Sequence, residues 1–215
     1  MKSLAPLVLL IFLSACSNKG TNNELSDQQI MPLAVGNSWT FMELPAPGFS
    51  GDTTVYTQSV TKDTLMSITI NSVIDIGHWF KVAGFLGMPP TFFANRSSGF
   101  FQTFFYFDGT STQVITTLVA KYPATAGDMY SQLFPPPIQN VSQRVEVIDT
   151  DSVITVPAGT FTCYVYRITL LSDGRRIYDA FYSVGTGLVK THLYELAPGD
   201  NRVTSEVRLI GFDLK

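Results

Sequence analysis

The chain has 215 residues, 45% of them apolar, 13% aromatic and only 14% charged, with 14 Lys and Arg against 17 Asp and Glu for a net charge of −3. That length fits one domain, or at most two small ones, with a full core, and the low charge with high aromatic content excludes a disordered chain. The basic residues are scattered, with Arg175-Arg176 as their only adjacent pair, which argues against a nucleic-acid partner.

Residues 1–16 read MKSLAPLVLLIFLSAC. Lys2 and the free amino terminus make a positive leader, and Leu4 to Leu13 form an apolar run of about ten residues. A membrane span needs about 17–25, so the run is a signal segment rather than an anchor. Leu13-Ser14-Ala15-Cys16 is similar to the cleavage site of bacterial lipoprotein precursors, in which the cysteine thiol is diacylated and the signal is cut before it. That resemblance implies removal of residues 1–15, lipidation at Cys16 and attachment to the membrane through the N-terminal lipid. Two or three acyl chains at about 0.8 kcal/mol per buried CH₂ hold a protein on a bilayer essentially permanently. Ser17 follows the cysteine where an Asp would resemble an inner-membrane retention signal, so the expected location is the outer membrane, with the leaflet left open. Loss of Lys2 leaves 13 basic and 17 acidic residues, a side-chain charge of −4. Cys163 is then left without an intramolecular partner, as suits a small buried hydrophobe.

The polar residues 16–30 read as a tether, and a single β-rich domain is expected over 31–215. No stretch sustains helical periodicity; runs rich in Val, Ile, Thr, Tyr and Phe recur between Gly, Pro, Asn and Asp. Strands are predicted at 38–44, 53–61, 65–73, 78–86, 100–107, 112–120, 142–155, 161–171, 175–183, 186–195 and 203–212. Asp108-Gly109 and Asp173-Gly174 are hairpin signals, since type I′ turns need positive φ at both central residues. Pro89-Pro90 cannot sit in a central strand, so 85–99 reads as a loop, and Phe134-Pro135-Pro136-Pro137 reads as a stiff connector. The expected fold is all-β: one antiparallel, strongly curved sheet or incomplete barrel, with a two-sheet sandwich as the alternative.

Four ordered patches carry a resemblance. Pro32 to Phe41 (PLAVGNSWTF), Tyr122 to Tyr130 (YPATAGDMY), Val156 to Tyr164 (VPAGTFTCY) and Gly185 to Lys190 (GTGLVK) resemble those of β-rich bacterial envelope lipoproteins. The resemblance implies a β fold and an envelope location; it brings no catalytic residues, since the family's molecular role is unassigned. The patches themselves are turn chemistry and strand anchors: Gly36-Asn37, Gly127-Asp128 and Pro157-Ala158-Gly159 for turns, Trp39 and Phe161 for the core. Gly185-x-Gly187 precedes no helix, so it is not a phosphate loop.

No catalytic constellation emerges. His78 and His192 lie far apart in sequence, and Asp75-x-x-His78 puts its members on opposite faces of a strand. Asp149 and Asp151 read as solvated carboxylates, and no nucleophile elbow is present. No metal or cofactor is expected. What stands out is aromatic: nine of the 16 Phe fall between Phe80 and Phe107. Trp79, Phe92, Phe93, Phe100, Phe101, Phe104, Phe105, Tyr106 and Phe107 load both faces of adjoining segments. They read as a central core strand, as one whose second face is covered by the 85–99 loop, as the wall of an apolar ligand cavity, or as an exposed patch that docks on a partner or membrane. The expected function is thus a non-enzymatic envelope lipoprotein that binds an apolar ligand or an envelope protein through this region. The alternatives are a purely structural or interaction lipoprotein and, more remotely, a hydrolase.

Overall fold

A computed structural model of the protein describes residues 29–70, 73–84, 91–107, 110, 112–134, 141–195 and 201–215. All regular structure among them is β strand. The first six strands are β1 (Ser38–Pro45), β2 (Thr54–Ile70), β3 (Val73–Ala83), β4 (Thr91–Arg96), β5 (Gly99–Phe107) and β6 (Thr112–Ala120). The second six are β7 (Met129–Phe134), β8 (Val141–Val156), β9 (Gly159–Leu170), β10 (Arg176–Ser183), β11 (Gly187–Tyr194) and β12 (Val203–Asp213). They form one antiparallel sheet in the order β6-β5-β4-β3-β2-β1-β12-β11-β10-β9-β8-β7, curled until its edges meet as a nearly closed barrel. The curved-sheet expectation holds, and the sandwich alternative does not.

Three element assignments change. The segments 53–61 and 65–73 are largely one strand, β2, because Lys62-Asp63 is not a turn: a bulge between Val60 and Lys62 bends the strand and lets it run on to Ile70. Within the expected 85–99 loop, Thr91–Arg96 is strand β4. The proline rule bars Pro89 and Pro90 from a central ladder but not the TFFANR that follows, which pairs with β3 and β5. Strand β7 has no counterpart among the predicted strands. Its alternation is poor, with Gln132 the inward residue at 3% exposure. The Asp173-Gly174 turn is a longer 171–175 connection with Gly174 at φ 73°. Asp108-Gly109 and Pro135-Pro136-Pro137 lie outside the described residues.

The barrel is filled, not hollow. Trp39, Phe41, Val60, Val82, Phe93, Phe100, Val145, Tyr166, Val189 and Leu209 form one continuous core. Where β6 meets β7, side chains replace the backbone ladder. The Tyr130 hydroxyl donates to the Val119 carbonyl (2.8 Å), Gln132 Nε2 to that of Leu118 (2.5 Å), and the Tyr166 hydroxyl to that of Lys121 (2.6 Å). These bonds satisfy carbonyls that a strand neighbour would otherwise hold.

One end of the barrel is stoppered by the chain's own entry. Ile30, Met31 and Leu33 are buried in the core. Asn95 at the end of β4 donates to the Met31 carbonyl (2.7 Å), and Gly185 in the β10–β11 turn donates to that of Gln29 (2.8 Å), so the segment spans the mouth. The indole N–H of Trp39, fully buried, donates to the Thr186 carbonyl at 2.6 Å at the same end. Here Gly187, at φ 96°, is required twice. Its backbone is left-handed, and a β-carbon would lie 3.1 Å from the Met31 side chain.

Candidate functional site

The Phe-rich quarter, β3 to β5, is sandwiched between two separate apolar layers, because a strand sends alternate side chains to opposite faces. Phe80, Phe93 and Phe100 point into the barrel; Phe93 and Phe100 stack with centroids 5.2 Å apart, and Phe100 meets Tyr182. Phe104 is buried as well. Trp79, Ala94 and Phe101 point out of the barrel and pack in a second cluster with Ile68, joined by Met66, Ile70, Phe92 and Leu118. Phe105, 48% exposed, meets Phe92 edge-on at the rim of that outer layer. Tyr106 and Phe107 end β5, and their side chains, like Cys16, lie outside the described residues.

The cover of the outer layer differs from expectation. It is not the Pro-rich loop but the far half of the β2–β3 hairpin. Only Phe80, Lys81 and Val82 of β3 pair with β4, so residues 62–79 leave the barrel wall as a flap. The flap curls back until Ile68 and Trp79 lie on Ala94 and Phe101. Trp79 is thereby fully buried although it sits outside the barrel.

Arg96, the last residue of β4, fastens the flap. Its Nε and Nη2 donate to the Asp75 carboxylate at 3.0 and 2.7 Å, its Nη1 reaches the His78 carbonyl at 3.3 Å, and its guanidinium lies 5.1 Å from the Trp79 ring. Gly77 makes room for it, since a β-carbon there would lie 2.8 Å from Arg96 Nη2. Beside the clamp is a cavity of about 250 Å³ lined by Ile70, Val73, Ile74, Asp75, Phe101 and the 96–98 turn. A second, of about 500 Å³, opens on the other side of the same turn between Gln29, Ile30, Asn95 and Tyr122. Arg96 and Ser97 border both.

The guanidinium of Arg96 holds the Asp75 carboxyl below its ordinary range, chiefly by hydrogen bonding. A depressed carboxylate contributes stability that is present above its unfolded pKa of about 3.9 and lost as pH falls through the lower folded value. The clamp should therefore stay closed at neutral and mildly acid pH and release only in strong acid. Asp75→Asn should loosen the flap by about 1–3 kcal/mol at pH 7 and abolish the acid-dependent step, read by amide exchange over residues 62–79. An acid step that persists in Asp75→Asn would assign the release to another group.

Elsewhere among the described residues, Glu206 gathers Lys190, His192 and Arg208, and Asp179 gathers Arg176 and Arg167. His78 pairs with exposed Asp63 at 2.8 Å on the flap's outer face, opposite Asp75, and His192 lies 3.6 Å from Glu206 on β12. Asp149 accepts from the backbone of Thr150 and Asp151 and from Ser152 in a bulge, which lowers its pKa. Cys163 is fully buried, with its thiol pushed up to about 12 by desolvation. Among the described residues no group of three His, Cys, Asp or Glu is placed to hold a metal ion. What the described residues offer is a groove with Ile70, Val73 and Phe101 beside the Arg96–Asp75 pair.

No protein-family model matches the chain, and no curated protein does. Among solved structures it is similar to a candidate lipoprotein from Parabacteroides distasonis ATCC 8503, with 16% identity over 86% of this chain and 99% of that one and a TM-score of 0.45. A LolA superfamily protein, NE2245 from Nitrosomonas europaea, matches at 14% identity over 89% and 91% of the two chains, with a TM-score of 0.24.

Proposed function

We propose that this chain is a non-enzymatic, lipid-anchored protein of the bacterial cell envelope that binds an apolar ligand between the flap and the outer barrel wall. Residues 1–15 are its signal, Cys16 its lipidated residue, 16–28 its tether, shortened from the expected 16–30 because Ile30 is buried in the core, and the outer membrane its location. The observation that carries the binding is the 250 Å³ cavity beneath the flap, where Ile70, Val73 and Phe101 meet beside the Arg96–Asp75 clamp. A crevice with Ile70, Val73 and Phe101 on one side and the Arg96–Asp75 pair with Ser97 and Ser98 on the other suits a ligand with a hydrophobic body and a polar end. Phe101 lines it, and Trp79, Phe92 and Phe105 belong to the apolar layer around Phe101; Phe93, Phe100 and Phe104 serve packing. The barrel's interior is apolar and filled, the inverse of a membrane-spanning barrel with a polar lumen. The competing reading, an interaction lipoprotein without a ligand, draws support from the Phe93–Phe100 stack, which is ordinary core packing.

Native mass spectrometry with solvent extraction of the full chain, purified from membranes, tests the binding. An apolar species is expected to accompany the wild type and to fall severalfold in Phe101→Ala, but to persist in Phe104→Ala. A clean ligand-free mass from wild type would favour the interaction reading. The anchor is tested separately: Cys16→Ser should leave the membrane fraction or stall at the precursor, and undiminished membrane retention would refute lipidation there.

A further inference from the structure

We infer that the outer face of the flap is a membrane-docking surface, resting on the bilayer that holds the lipid anchor; this rests on the lipidation proposed at Cys16. The flap has two faces. The inner one carries Met66, Ile68, Ile70 and Trp79 against the barrel. The outer one continues the other side of each strand and presents Leu65 at 66%, Ile74 at 68% and Ile76 at 70% exposure. Ser67 faces Ile76, Thr69 faces Ile74 and His78 faces Leu65, while Asp63, the partner of His78, sits back toward the barrel. The charged pair therefore borders the patch on its barrel side, level with Leu65, and Ile76 and Ile74 lie beyond it toward the hairpin end. Such a patch costs a protein in water and suits a group entering the interface of a bilayer.

The position of the chain entry selects the membrane as occupant. The flap leaves the barrel at the stoppered end, since β2 passes Ser59, paired with Ser38 at the start of β1, before running on into it. Gln29, where the described chain begins, lies at that end, across the 96–99 turn from the hairpin end. Thirteen residue steps link Cys16 to Gln29, a reach of at most about 45 Å. Anchor and apolar face thus leave the same end of the molecule, and the short link holds that face near the bilayer at high effective concentration. The patch is purely aliphatic, without the Trp, Tyr and Arg that dominate protein-protein hot spots, so lipid chains suit it better than a protein partner.

The test places an indole reporter on full-length, lipidated chain in vesicles of phosphatidylethanolamine and phosphatidylglycerol with brominated acyl chains. Ile76→Trp, on β3, reports the flap, and Val55→Trp, on the paired strand β2 at the opposite end of the barrel and 57% exposed, is the control. Trp39 and Trp79 are both fully buried and give a common background. Docking predicts a blue-shifted Ile76→Trp emission, quenched severalfold more than that of Val55→Trp. If the chain floats with vesicles through modified Cys16 while both reporters are quenched alike, docking is overturned and the anchor reading stands. If Cys16 is unmodified and the chain does not float, the anchor reading falls and the docking with it. Recruitment of a soluble protein to Leu65, Ile74 and Ile76 without quenching would assign the patch to a protein partner and overturn the proposal.

Discussion

Arg176→Ala is expected to destabilise the barrel by about 3–5 kcal/mol, read as a lowered urea midpoint with unchanged slope. The reason is Asp179, on the outer wall at β10 and only 3% exposed. Arg176 Nε donates to its Oδ1 at 2.8 Å and Nη2 contacts its Oδ2, while the guanidinium lies over the Tyr194 ring with its carbon 4.0 Å from the centroid. Arg167 approaches to 3.5 Å but makes no hydrogen bond through that nitrogen, and the Tyr194 hydroxyl is 3.5 Å away. Removing Arg176 thus strands a carboxylate that burial has stripped of water. Two outcomes separate that mechanism from simple loss of contacts. Arg176→Met combined with Asp179→Leu should recover most of the loss, because replacing both charges by apolar groups removes the desolvation cost with the attraction. A loss below about 1 kcal/mol in Arg176→Ala would mean the pair behaves as a surface salt bridge.

That pair also marks how far the sequence reaches. Arg175-Arg176 is visible as the only adjacent basic pair, yet nothing local says that Arg175 turns to Asp173 while half-buried Arg176 covers Asp179. Strand identity was legible wherever alternation and turn residues agreed, as in β9 and β10, whose inward Tyr164, Tyr166 and Tyr182 lie on one face as the period of two requires. It failed where a local signal overrode pairing. Pro89-Pro90 hid β4, Lys62-Asp63 hid the continuity of β2, and the inward Gln132 hid β7, whose polar side chain is there to bridge the seam. The aromatic concentration was legible, as was the need for something to cover its second face. The cover was not, because it depends on a bulge at Val60 that folds one hairpin over strands some thirty residues later in the chain. Leu65 falls in a predicted strand but Ile74 and Ile76 fall in the gap between two, and only the structure puts all three on one exposed face of the flap.

The flap's separate cluster leads to the other large effect. Trp79→Ala should cost about 3–5 kcal/mol, the usual loss for a fully buried tryptophan, but spend it on the flap alone. Trp79, Ile68, Ala94 and Phe101 form a small core outside the barrel wall, distinct from the one built on Trp39, Phe41 and Leu209. Amide exchange over residues 62–79 should therefore accelerate by about a hundredfold or more, since each 1.4 kcal/mol is tenfold. Exchange in β1 and β12 should hold near wild type, because local openings draw only on the contacts they break. Trp39→Ala should do the opposite, raising exchange throughout, because its indole ties β1 to the Thr186 turn inside the main core. If Trp79→Ala instead accelerates flap and barrel alike, the two clusters are one cooperative unit. The groove over Phe101 could then open only by unfolding the protein, leaving the ligand site without an entrance. If the flap alone loosens, the groove can open while the barrel stays folded, and Arg96 with Asp75 becomes the latch whose release admits a ligand.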